Sequence, residues 1–510
     1  MKLNTVAVLG GGPGGLYAAR LLKRSNPDAD VVVYEQGEPD KTFGFGVGLA
    51  SRTQRNLNEA DSSSLEEIIS VAYPHDMAMR VPSGEARLTI GGLIGIGRAK
   101  LLEVLQRHAE AAGVRLEYGQ RRTDADVEAD LIVAADGISS AVRTAHAEEL
   151  GASIVWDDVM YLWCGVDFAL PTALFTPVTT EHGTFVAHAY PYSENQSTFL
   201  IETDQETWRN AGFDVTTENT APADNDEVAL AYLSDAFAEA LHGHRLVGNR
   251  TRWMRFRTVN CDKWYTGNVA LLGDAVHTAH YSIGSGTKLA MEDAIALDTA
   301  VRESDTLDEA LERYQTERKP GAAYLQEIAA RSMGWWASFP DRMDLPVDQL
   351  MIAYMTRAGK VSLPRFLGTA PDIARRGLAA YAGVDVDQVP DGDEVIGWVL
   401  DQPLTRGGRT FADRRAPGDL ADARGTAVRE VDVDLEWSAD ADRIVDELAG
   451  AGVVWLRGGD DRGSVLTRLA VAGRVSEAGS ALVVAEVPAD AAGDAAAALA
   501  AGRVDLVHLS

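Results

Sequence analysis

The feature that most constrains this chain lies at its N-terminal end, where the apolar run Thr5-Val6-Ala7-Val8-Leu9 stops at Gly10-x-Gly12-x-x-Gly15. A short continuous apolar run bounded by glycines reads as a buried parallel strand. Leu16, Ala19, Leu21 and Leu22 then recur at helical spacing, predicting a helix from about Gly14 to Arg24, and Val31-Val32-Val33-Tyr34 reads as a second strand. Strand, crossover helix and strand make the βαβ unit of a parallel sheet. Gly10 permits a tight turn, Gly12 lets a pyrophosphate approach the backbone, and Gly15 lets helix and strand pack closely. Pro13 and Gly14 open the helix, whose first N–H groups and positive dipole end suit a phosphate. Glu35 closes the second strand, about twenty residues past the last glycine, where an acid suits ribose hydroxyls. A glycine triplet alone often serves geometry only. Here strand, turn, helix and terminal acid coincide, which implies an adenine dinucleotide and leaves FAD and NAD both open.

The rest of the chain sets limits. Its 510 residues exceed one ordinary domain. The formal net charge of −29 argues against nucleic acid and anionic membranes, whose phosphates need a basic surface. No stretch reaches bilayer length. The start, Met1-Lys2-Leu3-Asn4, runs into the first strand without a cleavage signal. Cys164 and Cys261 alone give neither a disulfide framework nor a cysteine metal site. A cytoplasmic enzyme without metal is the expectation.

Arg98 to Ala112 reads as an amphipathic helix and Leu131-Ile132-Val133-Ala134-Ala135 as a buried strand. Between about 150 and 260 the pattern turns to short alternating runs such as Thr184 to Tyr190, predicting antiparallel strands. Val269 to Leu272 returns to the buried style, a helix is expected from Gly286 to Val301, and residues 305–380 look helical. Beyond Asp391 the chain carries acids and arginines but no lysine, with strands expected at Val453–Leu456 and Ala481–Val484 and a helix at Ala491–Ala501. The predicted fold is therefore mixed α/β: a Rossmann-like dinucleotide domain in two pieces (1–150 and 255–330), an inserted antiparallel-sheet substrate domain (151–254), a helical segment (331–390) and a small C-terminal α/β domain (391–510), with the last boundary near 385–395.

Two further motifs separate the dinucleotides. One is Asp130-Leu131-Ile132-Val133-Ala134-Ala135-Asp136-Gly137, running on to Arg143. The other is Leu271-Leu272-Gly273-Asp274-Ala275, leading into Gly284-Ser285-Gly286-Thr287-Lys288. With the N-terminal fingerprint they stand in the order of the single-component FAD-dependent aromatic hydroxylases, which the chain resembles over roughly residues 3–380. The resemblance implies bound FAD, a transient NADH or NADPH donor and O₂. It also implies that Asp274 meets the ribityl hydroxyls, that Asp136 and Gly137 lie near the pyrophosphate, and that Arg98 contacts FAD. Gly284, Gly286 and Thr287 would face the flavin pyrimidine edge, where charge builds on reduction, with Gly46 and Val47 beside the ring.

Phe43-Gly44-Phe45-Gly46-Val47-Gly48, Gly95-Ile96-Gly97-Arg98, His188-Ala189-Tyr190-Pro191-Tyr192-Ser193 and Ala279 to Ala294 resemble the branch acting on salicylyl- and 2-aminobenzoyl-CoA, and more distantly a violacein-pathway hydroxylase. The closing Ala497 to Val507 resembles the end of an old-yellow-enzyme barrel. Only about 120 residues remain there, against the roughly 250 of a whole (β/α)₈ barrel, so a remnant with a structural or oligomeric role is expected. The implied activity is hydroxylation of a phenol, aniline or hydroxypyridine ring, with an aryl-CoA thioester as the alternative. A non-catalytic flavin-binding scaffold is the reading from another class. His280 and His188 are the candidate general bases, and scaffold histidines are the competing reading. Phe45, Tyr190 and Tyr281 are candidate substrate walls, with core packing as their commoner fate. Trp335 and Trp336 are expected to pack between helices. The expected partner is a small aromatic molecule, with homo-oligomers allowed.

Overall fold

A computed structural model describes residues 1–38, 44–89, 91–479 and 482–510. Phe43 of the glycine-rich segment and Ala481 of the expected strand lie outside them. Contact density divides the chain into two units: one of Met1–Met77 with Gly91–Ala329, the other of Ala78–Ile90 with Ala330–Ser510. The division at 329/330 comes earlier than the composition break near 385–395. The helices after Ala330 share their apolar faces with the residues that follow, so they join that unit instead of standing as a separate segment.

The first unit is built on a six-stranded sheet ordered Tyr265–Thr266, Val269–Leu271, Leu131–Ala134, Thr5–Leu9, Asp30–Glu35, Arg115–Tyr118. The last five strands run parallel, with Ala7 beside both Val32 and Ile132. The fully buried runs Val6–Leu9 and Leu131–Ala134 are what a parallel sheet covered on both faces requires. Helix Pro13–Ser25 packs against helix Gly286–Glu303, and Gly14 makes that possible. A Cβ there would lie 2.7 Å from Leu272 and 2.9 Å from Ala290.

A second, antiparallel sheet of this unit runs Trp253–Asn260, Ser153–Val166, Gln196–Thr203, Gly183–Ser193, Ala173–Thr180. Its strands alternate, so its faces differ in chemistry. Leu162, Phe185, Phe199 and Ile201 are buried on one face, where Phe185 meets Phe213 and Phe199 meets Phe237 from the helices beneath. The other face carries Tyr161, Trp163, His188, Tyr190 and Glu202, which the cross-strand register brings side by side.

In the second unit, strands Thr426–Val431, Val453–Gly458, Leu482–Val487 and Leu506–Leu509 lie parallel in sequential order. Helices Ala439–Leu448, Arg462–Ala478 and Ala492–Ala500 connect them. One sheet face, with Val453, Trp455, Leu482, Val484 and Leu506, is covered by Ala416 and Leu420 and flanked by Leu404 and Phe411. Trp335 and Trp336 are buried in this unit against Phe339 and Tyr354. Helices Val347–Thr356 and Pro371–Ala382 approach each other at Gly377, where a Cβ would sit 2.5 Å from the Asp348 carbonyl oxygen. Because that obstacle is backbone, Gly377→Ala should cost about 1–3 kcal/mol, seen as a lower thermal midpoint. An unchanged midpoint would mean the helices do not meet there.

Candidate active site

Backbone geometry at the end of the first strand makes the first half of the site. Gly10 has φ +107, and a Cβ on it would stand 2.3 Å from the Ala135 carbonyl oxygen. A Cβ on Gly15 would stand 2.1 Å from the Gly10 carbonyl oxygen. Neither position accepts a side chain. A Cβ on Gly12 would meet nothing within 4 Å, so its backbone faces open space. The helix beginning at Pro13 has no side-chain cap, which leaves its first N–H groups for an anion. A cleft of about 410 Å³ lies here, lined among others by Gly10, Gly12, Glu35, Asp136 and Ser139. Glu35 accepts the Gly11 N–H at 2.7 Å and the Gly37 N–H at 2.6 Å, so it also holds the turn. Asp136 accepts the Ala141 N–H at 2.8 Å through Oδ2, while its buried Oδ1 has no partner. Gly137, at φ +77, faces open space.

The second half lies where Asp274 and Arg98 come together. Asp274 is exposed although protein surrounds it deeply, the signature of a side chain projecting into a cleft. That surrounding protein pushes its carboxyl up from the ordinary value, and Arg98 pulls it back. Arg98 Nε is buried without a partner, and its own backbone N–H donates to the Phe45 carbonyl at 2.7 Å. Arg143 ties the two aspartate motifs together, donating to the carbonyls of Ala275 at 2.9 Å and Ile138 at 2.6 Å. Fully buried Asp293 accepts the Gly273 N–H at 2.9 Å and bonds His277 at 2.8 Å, which fixes the turn before Asp274. Gly284, at φ +59, is open, and helix Gly286–Glu303, on which Thr287 is half-buried, begins at Ser285 without a side-chain cap.

Gly46 and Val47 sit on strand Gly46–Leu49. Tyr190 donates to the Gly46 carbonyl at 2.7 Å, so its hydroxyl holds this backbone. Phe45 packs on Gly165, where a Cβ would be 2.5 Å from its ring.

The sheet face next to these residues holds a buried titratable cluster. His188 Nε2 is 3.3 Å from Glu202 Oε1, and the Tyr281 hydroxyl donates to Glu202 Oε2 at 2.6 Å. His280 Nδ1 accepts the Ser282 N–H at 3.3 Å, which puts its proton on Nε2, facing Asp157 Oδ2 at 3.4 Å. Rings of Phe256, Tyr161 and Tyr281 crowd around, with His280 and Tyr281 centroids 3.9 Å apart. Burial pushes His280 down to about 3 and keeps it neutral, with both ring nitrogens turned to protein groups. Burial pushes Asp157 up to about 6, and the Glu202 charge adds to this. Burial would raise Glu202 too, but His188 and the Tyr281 hydroxyl hold it below the ordinary range. Burial and Glu202 together keep the Tyr281 hydroxyl protonated.

Asp157 and Glu202 escaped sequence reasoning. Glu202 lies in an ordinary strand pattern, and Asp157 reaches His280 only through the bulge between Trp156 and Met160. His188, His280 and Tyr281 are brought together as a group, whereas Phe45 and Tyr190 lie against backbone.

The comparisons with known proteins agree with this geometry. The FAD binding domain family matches residues 92–329, and the NAD(P)-binding Rossmann-like domain family matches residues 8–39. Salicyloyl-CoA 5-hydroxylase of Streptomyces sp. is 40% identical over 368 residues, covering 71% of this chain and 70% of that protein. The chain belongs to the FAD-dependent aromatic hydroxylases. A second hydroxylase of this family, 3-hydroxy-4-methyl-anthranilyl-[aryl-carrier protein] 5-monooxygenase of Streptosporangium sibiricum, is 36% identical, covering 70% of this chain and 95% of that protein. The tetrameric form of 2-methyl-3-hydroxypyridine-5-carboxylic acid oxygenase shares the fold at TM-score 0.53 and 20% identity, covering 73% of this chain and 96% of that one. As a family member the hydroxylase is a flavin monooxygenase using FAD, NAD(P)H and O₂. The open Gly12 backbone, the partnerless Arg98 Nε and Asp136 Oδ1, and the cleft-facing Asp274 fit FAD. Among the described residues no group of His, Cys, Asp and Glu could hold a metal ion, and no helix is long and apolar enough to cross a membrane.

Asp157 gives this hydroxylase a pH-dependent stability. Its folded pKa lies above the unfolded value of 3.8, at about 6. Below the unfolded value both states are protonated and no penalty exists. Above about 6 the ionised carboxyl costs the folded state on the order of 3 kcal/mol. Asp157→Asn should therefore raise the thermal midpoint at neutral pH and change it little near pH 4. A gain of equal size at both would contradict the assignment.

Proposed function

We propose that this hydroxylase adds one oxygen to an aromatic ring bearing a hydroxyl or amino group, presented as the thioester of an aromatic acid in a natural-product tailoring step. The observation that carries the ring site is the sheet face where His188, Tyr281 and Glu202 meet beside the Gly46–Val47 strand. The thioester is favoured over a free phenol, aniline or hydroxypyridine by relatives 40% and 36% identical that are named for a CoA and a carrier-protein thioester.

When bound, FAD reduced by NAD(P)H activates O₂ and supplies the oxygen. The chain's part is to bind, orient and keep dry. Gly10, Gly12, Pro13, Gly14 and Gly15 hold the pyrophosphate and Glu35 the adenosine ribose, with Asp136 and Gly137 completing that end. Asp274 and Arg98 hold the ribityl portion. Gly284, Gly286 and Thr287 open the helix whose dipole favours negative charge at the flavin edge. Phe45, Tyr190 and Tyr281 bound the ring's space, and His188 with Glu202 manages protons there. His280, turned to Ser282 and Asp157, serves better as a neutral support than as the base. The sequential parallel order of the four strands in residues 426–509 is that of a (β/α) barrel segment, which supports a barrel remnant with a structural or oligomeric role.

Matched pairs test the substrate: salicylate against salicylyl-CoA, and anthranilate against 2-aminobenzoyl-CoA, scored by NAD(P)H consumption and product mass. The thioesters should exceed the free acids by at least about tenfold in kcat/KM, the effect of roughly 1.4 kcal/mol, with one oxygen gained. Equal or better turnover of the free acids would overturn the thioester. Oxidation stimulated without oxygen gain would overturn hydroxylation.

A further inference from the structure

Glu202 is 3% exposed, and among the described residues the partner within ion-pair distance is His188 at 3.3 Å. A buried carboxylate without a lysine or arginine is costly unless donors satisfy it. The Tyr281 hydroxyl, from the connection before helix Gly286–Glu303, donates to Oε2 at 2.6 Å, and His188 Nε2, from strand Gly183–Ser193, faces Oε1 at 3.3 Å. The other titratable groups packed around it are Tyr161, directly opposite on the neighbouring strand, Asp157 on the bulge of that strand, and His280. Oε2 is taken by the Tyr281 hydroxyl while Oε1 faces His188, so the Tyr281 proton is committed to Glu202. A phenol has one proton and two lone pairs. With the proton committed, the Tyr281 oxygen offers only acceptors to anything else that reaches it, and Tyr281 is half-buried, not sealed.

We propose that Glu202 is a specificity-determining positioning residue: by fixing the Tyr281 hydroxyl, it makes the site recognise a hydrogen-bond donor on the ring, a hydroxyl or an amino group, and reject an ether or other acceptor at the same place. This rests on the reading that the ring lies against this face. The same donor activates the ring toward an electrophilic oxygen, so recognition and reactivity select one substituent. Glu202→Gln keeps the shape and lets the amide N–H₂ donate to the tyrosine oxygen, which turns the Tyr281 proton outward. Glu202→Asp keeps the carboxylate.

The test uses the FAD-loaded enzyme with 2-hydroxybenzoyl-CoA and 2-methoxybenzoyl-CoA, reading Kd by titration calorimetry and kcat/KM by NAD(P)H consumption. The wild type should bind the hydroxyl probe tighter by about tenfold or more, the scale of one hydrogen bond. Glu202→Gln should shrink or reverse that ratio, and Glu202→Asp should restore most of it. If Glu202→Gln fails to fold, Tyr281→Phe should abolish the ratio by removing the acceptor. A ratio unchanged in both Glu202→Gln and Tyr281→Phe would overturn the proposal. If both variants raise Kd and lower kcat/KM for the two probes equally, the face still binds the ring but the proton-direction argument fails. If neither variant alters either probe, the placement of the ring fails with it.

Discussion

The architecture depends on how closely the first strand and its helix approach each other. Gly15 lies against the Gly10 carbonyl, and Gly10 against that of Ala135, at distances no side chain tolerates. That closeness aims an uncapped helix start and the open Gly12 backbone at one cleft. Asp136 and Asp274 arrive at the ends of the neighbouring strands Leu131–Ala134 and Val269–Leu271, and Arg143 binds the two loops together. The chemistry is thus placed at the carboxyl ends of parallel strands, where an open α/β sheet forms its crevices.

The antiparallel sheet contributes the opposite kind of environment. Its inner face buries two carboxylates, two histidines and a tyrosine with few full charges to balance them. Such a cluster costs stability, and perturbed groups gathered in this way mark functional sites. Here the cost is visible in Asp157, pushed up to about 6. The stabilising face is the other one, where aromatic side chains stack against helices.

Local pattern revealed the sheet-and-helix order well, because period and glycine placement are local properties. The fingerprint at Gly10–Gly15, the Asp136 and Asp274 turns and the helix after Gly284 stand where their motifs suggested. His188, His280 and Tyr281 converge although nearly a hundred residues separate them, and sequence singled them out through resemblance. Glu202 and Asp157 stayed hidden because their meaning depends on cross-strand register and on a bulge, which no local pattern encodes. Residue type singles out Phe45 and Tyr190 as walls, and pattern does not show that Phe45 packs on Gly165 or that the Tyr190 hydroxyl holds the Gly46 carbonyl. The division at Ala329 was hidden for the same reason: composition changes where lysine disappears, whereas packing changes where apolar faces find partners.

The proposed site places FAD in one cleft, with its ribityl part on Asp274. The direct measurement is a fluorescence titration of FAD into deflavinated protein, comparing the wild type with Asp274→Ala at matched folding. The wild type should saturate near one FAD per chain, and the variant should bind at least about tenfold more weakly, as expected when a charge-assisted hydrogen bond is lost. A wild-type protein that takes up no FAD, or a variant that binds it equally well, would rule out this placement of the flavin.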